Sequence, residues 1–440
     1  MQNILYQTLL IFEKFCVILH NVTKINEIMT AIVGVLNKHA VAIAADSAVT
    51  IGGTKVFNSA NKIFALSKRA PIAIATYNNP DLNSVPWEII IKEYRKKLAD
   101  SKKGTLKEYV DDFFKFIRSN NYFSTDNEQR EFLKIRFCTY IDLCLQEISI
   151  ANPTDDDINN DIELRLIKLR ENRKARDCFG EFSLNDFQAN FNTEIEFAIS
   201  RTGRTLDKGK ITELLYSVFM CNIWGNYYSG LVFIGYGENE IYPSLFSFKS
   251  YTIINGTLHL ESCPNEDVII GQNCTAAIRP FAQRDVMDTI IFGIAPTVQN
   301  AYIQAFKTQL TSILNGLAQQ VDGLNTESAE LIRNKLSEEQ TNGDITTNYI
   351  TYANMLANTT YMQPFINSAI SLNIEDLADF AESLIKLTAV KRKISPDQPT
   401  VGGPIDVMVI SKGDGIIWMK RKHYFDPNLN HHFFENYNHQ

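Results

Sequence analysis

The sequence predicts an α+β protein in which antiparallel sheets are covered by helices, and three observations carry that expectation. Short apolar runs open the chain after residue 30, a long middle section has helical periodicity, and apolar runs return near residues 230 to 260 and again before the end. Asn255-Gly256, set between two strand-like runs, is a strong signal for a tight hairpin turn. Strands first, helices in the middle and strands again suit antiparallel sheets rather than an alternating parallel fold.

Taken in order, residues 1 to 28 hold two apolar runs, Leu9 to Phe12 and Phe15 to Leu19, split by Glu13 and Lys14. Neither is long enough to span a bilayer, and the basic start and small-residue cleavage site of a signal peptide are missing. The segment is expected to be a removable pro-segment, or the product of a start written upstream of the real one at Met29. The second is favoured, because a Met before a small Thr is readily removed and would leave Thr30 first. Ala31 to Val35 and Ala40 to Ala45, parted by Leu36 to His39, read as a hairpin of buried strands. Pro71 to Thr76 reads as another strand. Ser84 is expected to cap a helix with Pro86 in its first turn and Trp87, Ile90, Ile91, Tyr94 and Leu98 on its buried face.

Residues 105 to 228 read as mainly helical. One stripe is Tyr109, Phe113, Phe114 and Ile117; a thicker one is Phe132, Ile135, Phe137, Tyr140, Leu143 and Leu145. Asp155-Asp156-Asp157 suits a helix start, where acidic side chains meet the positive end of the dipole. Arg170, Arg173, Lys174 and Arg176 read as a solvated helix face. Gly230 to Tyr236, Ser244 to Ile254 and Thr257 to Leu260 form an expected meander. Asp285 to Gln320 is helical with a kink or break at Pro296. A polar helical stretch from about 326 to 340 precedes an Asn- and Thr-rich section to 360. Asn373 is expected to cap a helix with Leu377, Phe380, Ala381, Leu384 and Ile385 buried and Lys391-Arg392-Lys393 at its C-terminal end. Ile405 to Ile410 and Ile416 to Lys420 make a closing hairpin. The tail from Asn428 is polar and aromatic, and its His431-His432 pair suits a disordered end better than a metal site.

At 440 residues the chain can hold one large domain or two to three smaller ones. A net charge of −7 supplies no electrostatic reason to expect a nucleic acid or an anionic membrane as partner. The seven cysteines are scattered and form no C-x-x-C pair, so buried reduced thiols in a reducing, cytoplasmic setting are expected, with no cofactor and no metal. The phosphate-loop, zinc-protease and serine-hydrolase strings are absent.

Three residues at intervals of sixteen, Thr30, Asp46 and Lys62, are of the right types for one chemistry. A threonine hydroxyl is a weak nucleophile unless a base takes its proton, and a first-residue Thr brings its own α-amine for that purpose. The unperturbed amine has a pKa of about 7.7 to 8. A nearby lysine ammonium would depress it, and a carboxylate would hold the lysine charged and in place. Read structurally instead, Thr30 starts a strand, Asp46 ends one and Lys62 lies on the surface. The surrounding text favours the chemical reading.

The strings T-A-I-V-G-V from Thr30, A-I-A-A-D-S-A-V-T-I-G-G from Ala42 and S-A-N-K-I-F-A-L from Ser59 resemble the opening of a proteasome β-type subunit or its bacterial relatives. V-G-G-P-I-D-V-M-V-I-S-K-G-D-G-I-I-W from Val401 resembles the family's closing hairpin. The resemblance covers about residues 30 to 98, 230 to 295 and 373 to 420. It implies a four-layer αββα sandwich of the N-terminal-nucleophile (Ntn) hydrolases with mainly helical insertions. The implied division is a segment 1–29, an Ntn domain in three pieces (30–100, 229–295 and 373–425), helical insertions at 101–228 and 296–372, and a tail 426–440.

The same resemblance implies a hydrolase of peptide or related amide bonds with Thr30 as nucleophile and Asp46 and Lys62 in support. It implies Thr50 as a contact to substrate backbone and Val49, Ala60, Phe64 and Ile74 as the apolar lining beside the scissile bond, hence an apolar preference. A peptide or protein is the implied substrate, and homo-oligomerisation is left open. The chain departs from the family where Thr76 replaces a Gly whose N–H serves the oxyanion. It departs again where Gln398 and Val401 fall nearest a supporting Asp and Ser, with Asp397 one residue off, and where Met29 rather than Gly precedes the Thr. A catalytically silent scaffold that binds a partner through its insertions is the alternative.

Overall fold

The computed structural model describes residues 30–51, 55–67, 69–120, 125–172, 182–221, 228–254, 256–320, 330–331, 334–335, 344–394, 401–423 and 425–432. The strands before the first helix are β1 (Ala31–Asn37), β2 (Ala40–Ala45), β3 (Val49–Ile51), β4 (Lys55–Phe57), β5 (Ile63–Ala65), β6 (Ile72–Asn78), β7 (Asp81–Leu82) and β8 (Val85–Pro86). Six helices follow: α1 (Trp87–Leu98), α2 (Leu106–Arg118), α3 (Asp126–Gln146), α4 (Asp155–Asn172), α5 (Leu184–Ser200) and α6 (Lys208–Cys221). Then come β9 (Ser229–Gly235), β10 (Ser244–Ile254), β11 (Thr257–Ser262), β12 (Val268–Ile269) and β13 (Ala276–Ala282). Helices α7 (Asp285–Phe292), α8 (Pro296–Gln320), α9 (Asp344–Ala357), α10 (Gln363–Ile370) and α11 (Ile374–Ile394) lead into β14 (Asp406–Ser411) and β15 (Gly415–Lys420).

The chain is a mixed helix and antiparallel-sheet protein. Of the two large sheets, one has the order β13-β1-β2-β14-β15 and the other β11-β10-β9-β6-β5 with β12 also on β10, while β3-β4 and β7-β8 form small ribbons, and every pairing is antiparallel. Strand alternation sorts their side chains onto two faces each. Ile32, Leu36, Val41, Ile43 and Met408 of the first sheet share a core with Ala73, Ala75, Val232 and Ile234 of the second. The opposite face of the first sheet, with Val33, Val35, Ala42 and Ala44, packs on Leu377, Ala381, Leu384 and Ile385 of α11. The opposite face of the second, with Ile72, Ile74, Leu231 and Phe233, packs on Trp87, Ile90 and Tyr94 of α1 and Phe113 and Phe114 of α2. Because both faces are covered, β1 and β2 read as continuous apolar runs. Helices α3 to α6 hold a separate core that meets the second sheet through Ile254.

Several local expectations need correction. Ser84 does not cap α1: it sits in a turn at positive φ, and Pro86 takes the N-cap position without a side-chain bond. The stripe on α3 holds in part: Phe137 and Tyr140 are buried and Phe132 and Leu145 pack against the same core, but Leu133, Ile141 and Cys144 complete the buried face and Ile135 is 60% exposed. The break before α8 falls at Gly293, which ends α7 in the left-handed region, and Pro296 starts the next helix. The Asn- and Thr-rich section, for which the sequence names no element, is helical over α9. Asp155 does open α4, with Asp157 accepting the Thr154 N–H at 2.9 Å, and Asn373 caps α11 through the Asp376 N–H at 2.9 Å. Arg170 pairs with Glu213; Arg173, Lys174 and Arg176 lie outside the described residues, as do residues 1 to 29 and most of 326 to 340. No described helix is long and apolar enough to cross a membrane.

Candidate functional site

One oxygen of Asp46 accepts both the Lys62 ammonium and the peptide N–H that follows Thr30, which brings the three residues together where the two sheets meet. Thr30 precedes β1, and its carbonyl accepts the Gln283 N–H at 3.0 Å just beyond β13. The next peptide nitrogen, Ala31 N, donates to Asp46 Oδ1 at 2.9 Å. Lys62 Nζ donates to the same Oδ1 at 2.6 Å and to the Ala48 carbonyl at 2.6 Å. Asp46 Oδ2 accepts the Ala48 and Gly402 N–H groups, each at 3.1 Å. The carboxylate therefore has all four of its acceptor positions filled.

Local structure explains why these groups converge. The antiparallel β1–β2 register places Ile32 opposite Ala45, so the residue after β2 lies beside the start of β1. β14 runs against β2 on the other side, which brings the Gly402 loop onto Asp46. Ser47 N–H bonds the Gly402 carbonyl at 3.1 Å and Ser47 Oγ the Pro404 carbonyl at 2.5 Å, tying the segment after β2 to that loop. Lys62 stands immediately before β5, at the edge of the second sheet, and reaches across to the first.

Lys62 is not a surface residue: it is 4% exposed, and Thr30 and Asp46 are 1% exposed. Burial pushes the Lys62 ammonium below the ordinary lysine value, and the Asp46 carboxylate opposes that shift. An ammonium has three donors, and two of them are used. The third has no partner among the described residues.

The remaining expected residues are placed as follows. The Thr76 N–H donates to the Lys62 carbonyl at 2.9 Å, so the pairing of β6 with the chain before β5 occupies the group expected to serve an oxyanion. Val49 is half-buried opposite Phe57, and the Thr50 backbone pairs with Val56. Ala60 is half-buried and donates its N–H to the Ser47 carbonyl at 3.2 Å. Phe64 and Ile74 face each other across β5 and β6, in the core packed by α1 and α2. Val401 is buried at 4% exposure among the residues under α11, while Asp397 and Gln398 lie outside the described residues.

Reasoning from the residues missed the Gly402 N–H and the Ala48 carbonyl, which are backbone groups with no side-chain signature. It also missed Asp406 and Lys422, an ion pair of a buried carboxylate and a half-buried lysine, whose Asp406 opens β14 opposite Ala45, the residue before Asp46. Among the described residues no group of three or more His, Cys, Asp or Glu side chains is arranged to hold a metal ion.

No protein-family model matches the chain, and no curated protein matches it. Among solved structures it is similar to Anbu from Hyphomicrobium sp. strain MC1, a Gly-1 mutant, at 8% identity and a TM-score of 0.27, with 93% of this chain and 95% of that chain covered. It is also similar to Anbu from Yersinia bercovieri, described as an ancestral beta-subunit, at 8% identity and a TM-score of 0.26, with 93% and 94% covered. Superpositions this loose leave the reading to the residues themselves.

Proposed function

We propose that the chain is a threonine-type Ntn hydrolase of four-layer αββα build that cleaves peptide or related amide bonds with Thr30 as nucleophile. One observation carries the reading: the peptide nitrogen that follows Thr30 and the Lys62 ammonium donate to the same Asp46 oxygen, at 2.9 and 2.6 Å. Two sheets sharing a core, each with helices on its other face, support the four-layer build.

In this reading the Met29–Thr30 bond is cut, which turns an amide nitrogen into a basic amine. That amine accepts the hydroxyl proton as Thr30 Oγ bonds to the substrate carbonyl carbon. The proton then passes to the leaving nitrogen as the C–N bond breaks, leaving an ester on Thr30. Water attacks the ester, gives a proton to the amine, and Thr30 regains its hydroxyl proton as the acid leaves. The Lys62 ammonium disfavours a second positive charge on the amine and keeps it neutral for its role. Thr76 N–H serves the oxyanion only when released from the Lys62 carbonyl. Thr50 contacts substrate backbone, and Val49, Ala60, Phe64 and Ile74 supply an apolar lining. The substrate is a peptide or protein, and the setting is the cytoplasm.

A second reading, a silent scaffold acting through its helical insertions, is favoured by two observations. Val401 is buried and apolar where the resemblance places a serine, and the Thr76 N–H is engaged. The mass and N-terminal sequence of the purified protein, with labelling by a threonine-directed electrophile, separate the two. The hydrolase reading expects a chain beginning at Thr30, labelled at Thr30, and loss of both labelling and amide hydrolysis in Thr30→Ala. A chain that keeps residues before Thr30 and resists the electrophile overturns it in favour of the scaffold.

A further inference from the structure

Asp46 and Lys62 are not alone between the sheets. Asp406 opens β14 directly opposite Ala45, the residue before Asp46, and neighbouring strands lie about 4.8 Å apart. Along β14, Val407 and Val409 face α11 while Met408 faces the second sheet, so Asp406 shares the inter-sheet side with Met408. Its Oδ1 accepts the Lys422 backbone N–H at 2.8 Å, and its Oδ2 binds the Lys422 ammonium. The side chains of Lys422 and Asp406 are 10% and 5% exposed. Two lysine–aspartate pairs thus lie side by side at the same end of the same strands.

Burying an ion pair costs desolvation of both partners, and an apolar pair of similar volume commonly serves stability as well. A second pair beside the first therefore calls for a use beyond packing. We propose that Asp406 and Lys422 are positioning residues of the Thr30 site, Asp406 holding a second ammonium against Lys62. This rests on the hydrolase reading only for its consequence in catalysis; the coupling between the two lysines stands or falls by itself.

Among the described residues, the charged groups that bear on Lys62 are Asp46, Lys422 and Asp406. Asp46 favours the charged form. Lys422 adds to the effect of burial and favours the neutral form, and Asp406 partly offsets Lys422. With the second ammonium in place, Lys62 releases its proton at lower pH than it otherwise would. While both lysines are charged, the two ammonium groups together disfavour a further positive charge on the Thr30 amine.

The test follows the titration of Lys62 itself by NMR on the full chain labelled with 13C at the lysine ε-carbon, with Lys62→Arg assigning the signal. Lys422→Met should raise the Lys62 midpoint by about half a unit or more, as removal of a nearby like charge does. Lys422→Arg, which keeps the charge, should restore it. Should Lys422→Met fail to fold, the paired change Asp406→Asn with Lys422→Gln keeps a hydrogen-bonded pair without charge and should also raise the midpoint. An unchanged midpoint in either folded charge-removing variant overturns the proposal. A raised midpoint in a protein whose Thr30→Ala variant loses no activity keeps the coupling and removes only its catalytic consequence.

Discussion

At the scale of single residues, Asp46 is the group on which most others depend. Its four hydrogen bonds serve three backbone N–H groups (Ala31, Ala48 and Gly402) and the Lys62 ammonium. Asp46→Ala leaves those donors without an acceptor in a closed site and strands a buried cation, a loss of about 3 to 5 kcal/mol. Urea unfolding should show a smaller loss for Lys62→Met, because Asp46 then keeps its three N–H donors. His259 gives a separate pH signature. It is 1% exposed, and burial holds its pKa down at about 3. The unfolded chain binds a proton near the ordinary histidine value while the folded one does not, so stability is complete above that value and declines as pH falls toward the folded one. Between pH 7 and 5 this histidine should account for about 2 kcal/mol of lost stability. Comparing denaturant midpoints of His259→Phe with the parent across that range checks the sign, since the variant should lack this share of the decline.

Elements fail or hold by their junctions. Gly235 ends β9 at φ +138°, and a Cβ there would meet the Pro71 carbonyl oxygen at 2.0 Å. Gly235→Ala strains the backbone and pushes apart the chain leading into β6, and should lower stability by about 3 kcal/mol or more in a thermal or urea melt. The elements most legible in the sequence were those whose pattern is local. The stripe Tyr109, Phe113, Phe114 and Ile117 is buried as a unit in α2. β10 ends at Ile254 and β11 begins at Thr257, with Gly256 at φ +70° between them. Less legible was α3, where apolar residues such as Phe132 and Ile135 flank the true stripe, and a helix carrying apolar side chains on several faces does not announce which one is buried. Ser84 is a cap by residue type, yet it lies in a turn at φ +72° and α1 starts only after Pro86, with no side chain accepting a first-turn N–H.

For the whole molecule, the two sheets and the helices against them concentrate the cores, while α8 and α9 lie outside them. No described side chain of α8 or α9 is buried, and they touch chiefly through the stacked rings of Phe306 and Tyr349, 4.2 Å apart, and the Gln299–Asn354 bond. Helix α11, by contrast, buries Leu377, Ala378, Ala381, Leu384 and Ile385. Local opening is least costly where few apolar contacts are lost. Amide exchange in the intact chain should therefore be faster across α8 and α9 than across α11 by orders of magnitude; equal protection would show that the two helices share the central core's stability.

The sequence by itself determined the order of strands and helices, the buried character of β1 and β2, and the residue types of the Thr30, Asp46 and Lys62 set. All of these are written in local side-chain pattern. Only the tertiary structure decided that the Gly402 N–H and the Ala48 carbonyl complete the set, that the Thr76 N–H is already engaged, and that Asp406, paired with Lys422, opens β14 opposite Ala45. Backbone donors and acceptors are the same in every residue but proline, so nothing in the letters marks the ones that matter. Their direction follows from strand register, and the register joining residues 45 and 406 is set by packing across most of the chain's length.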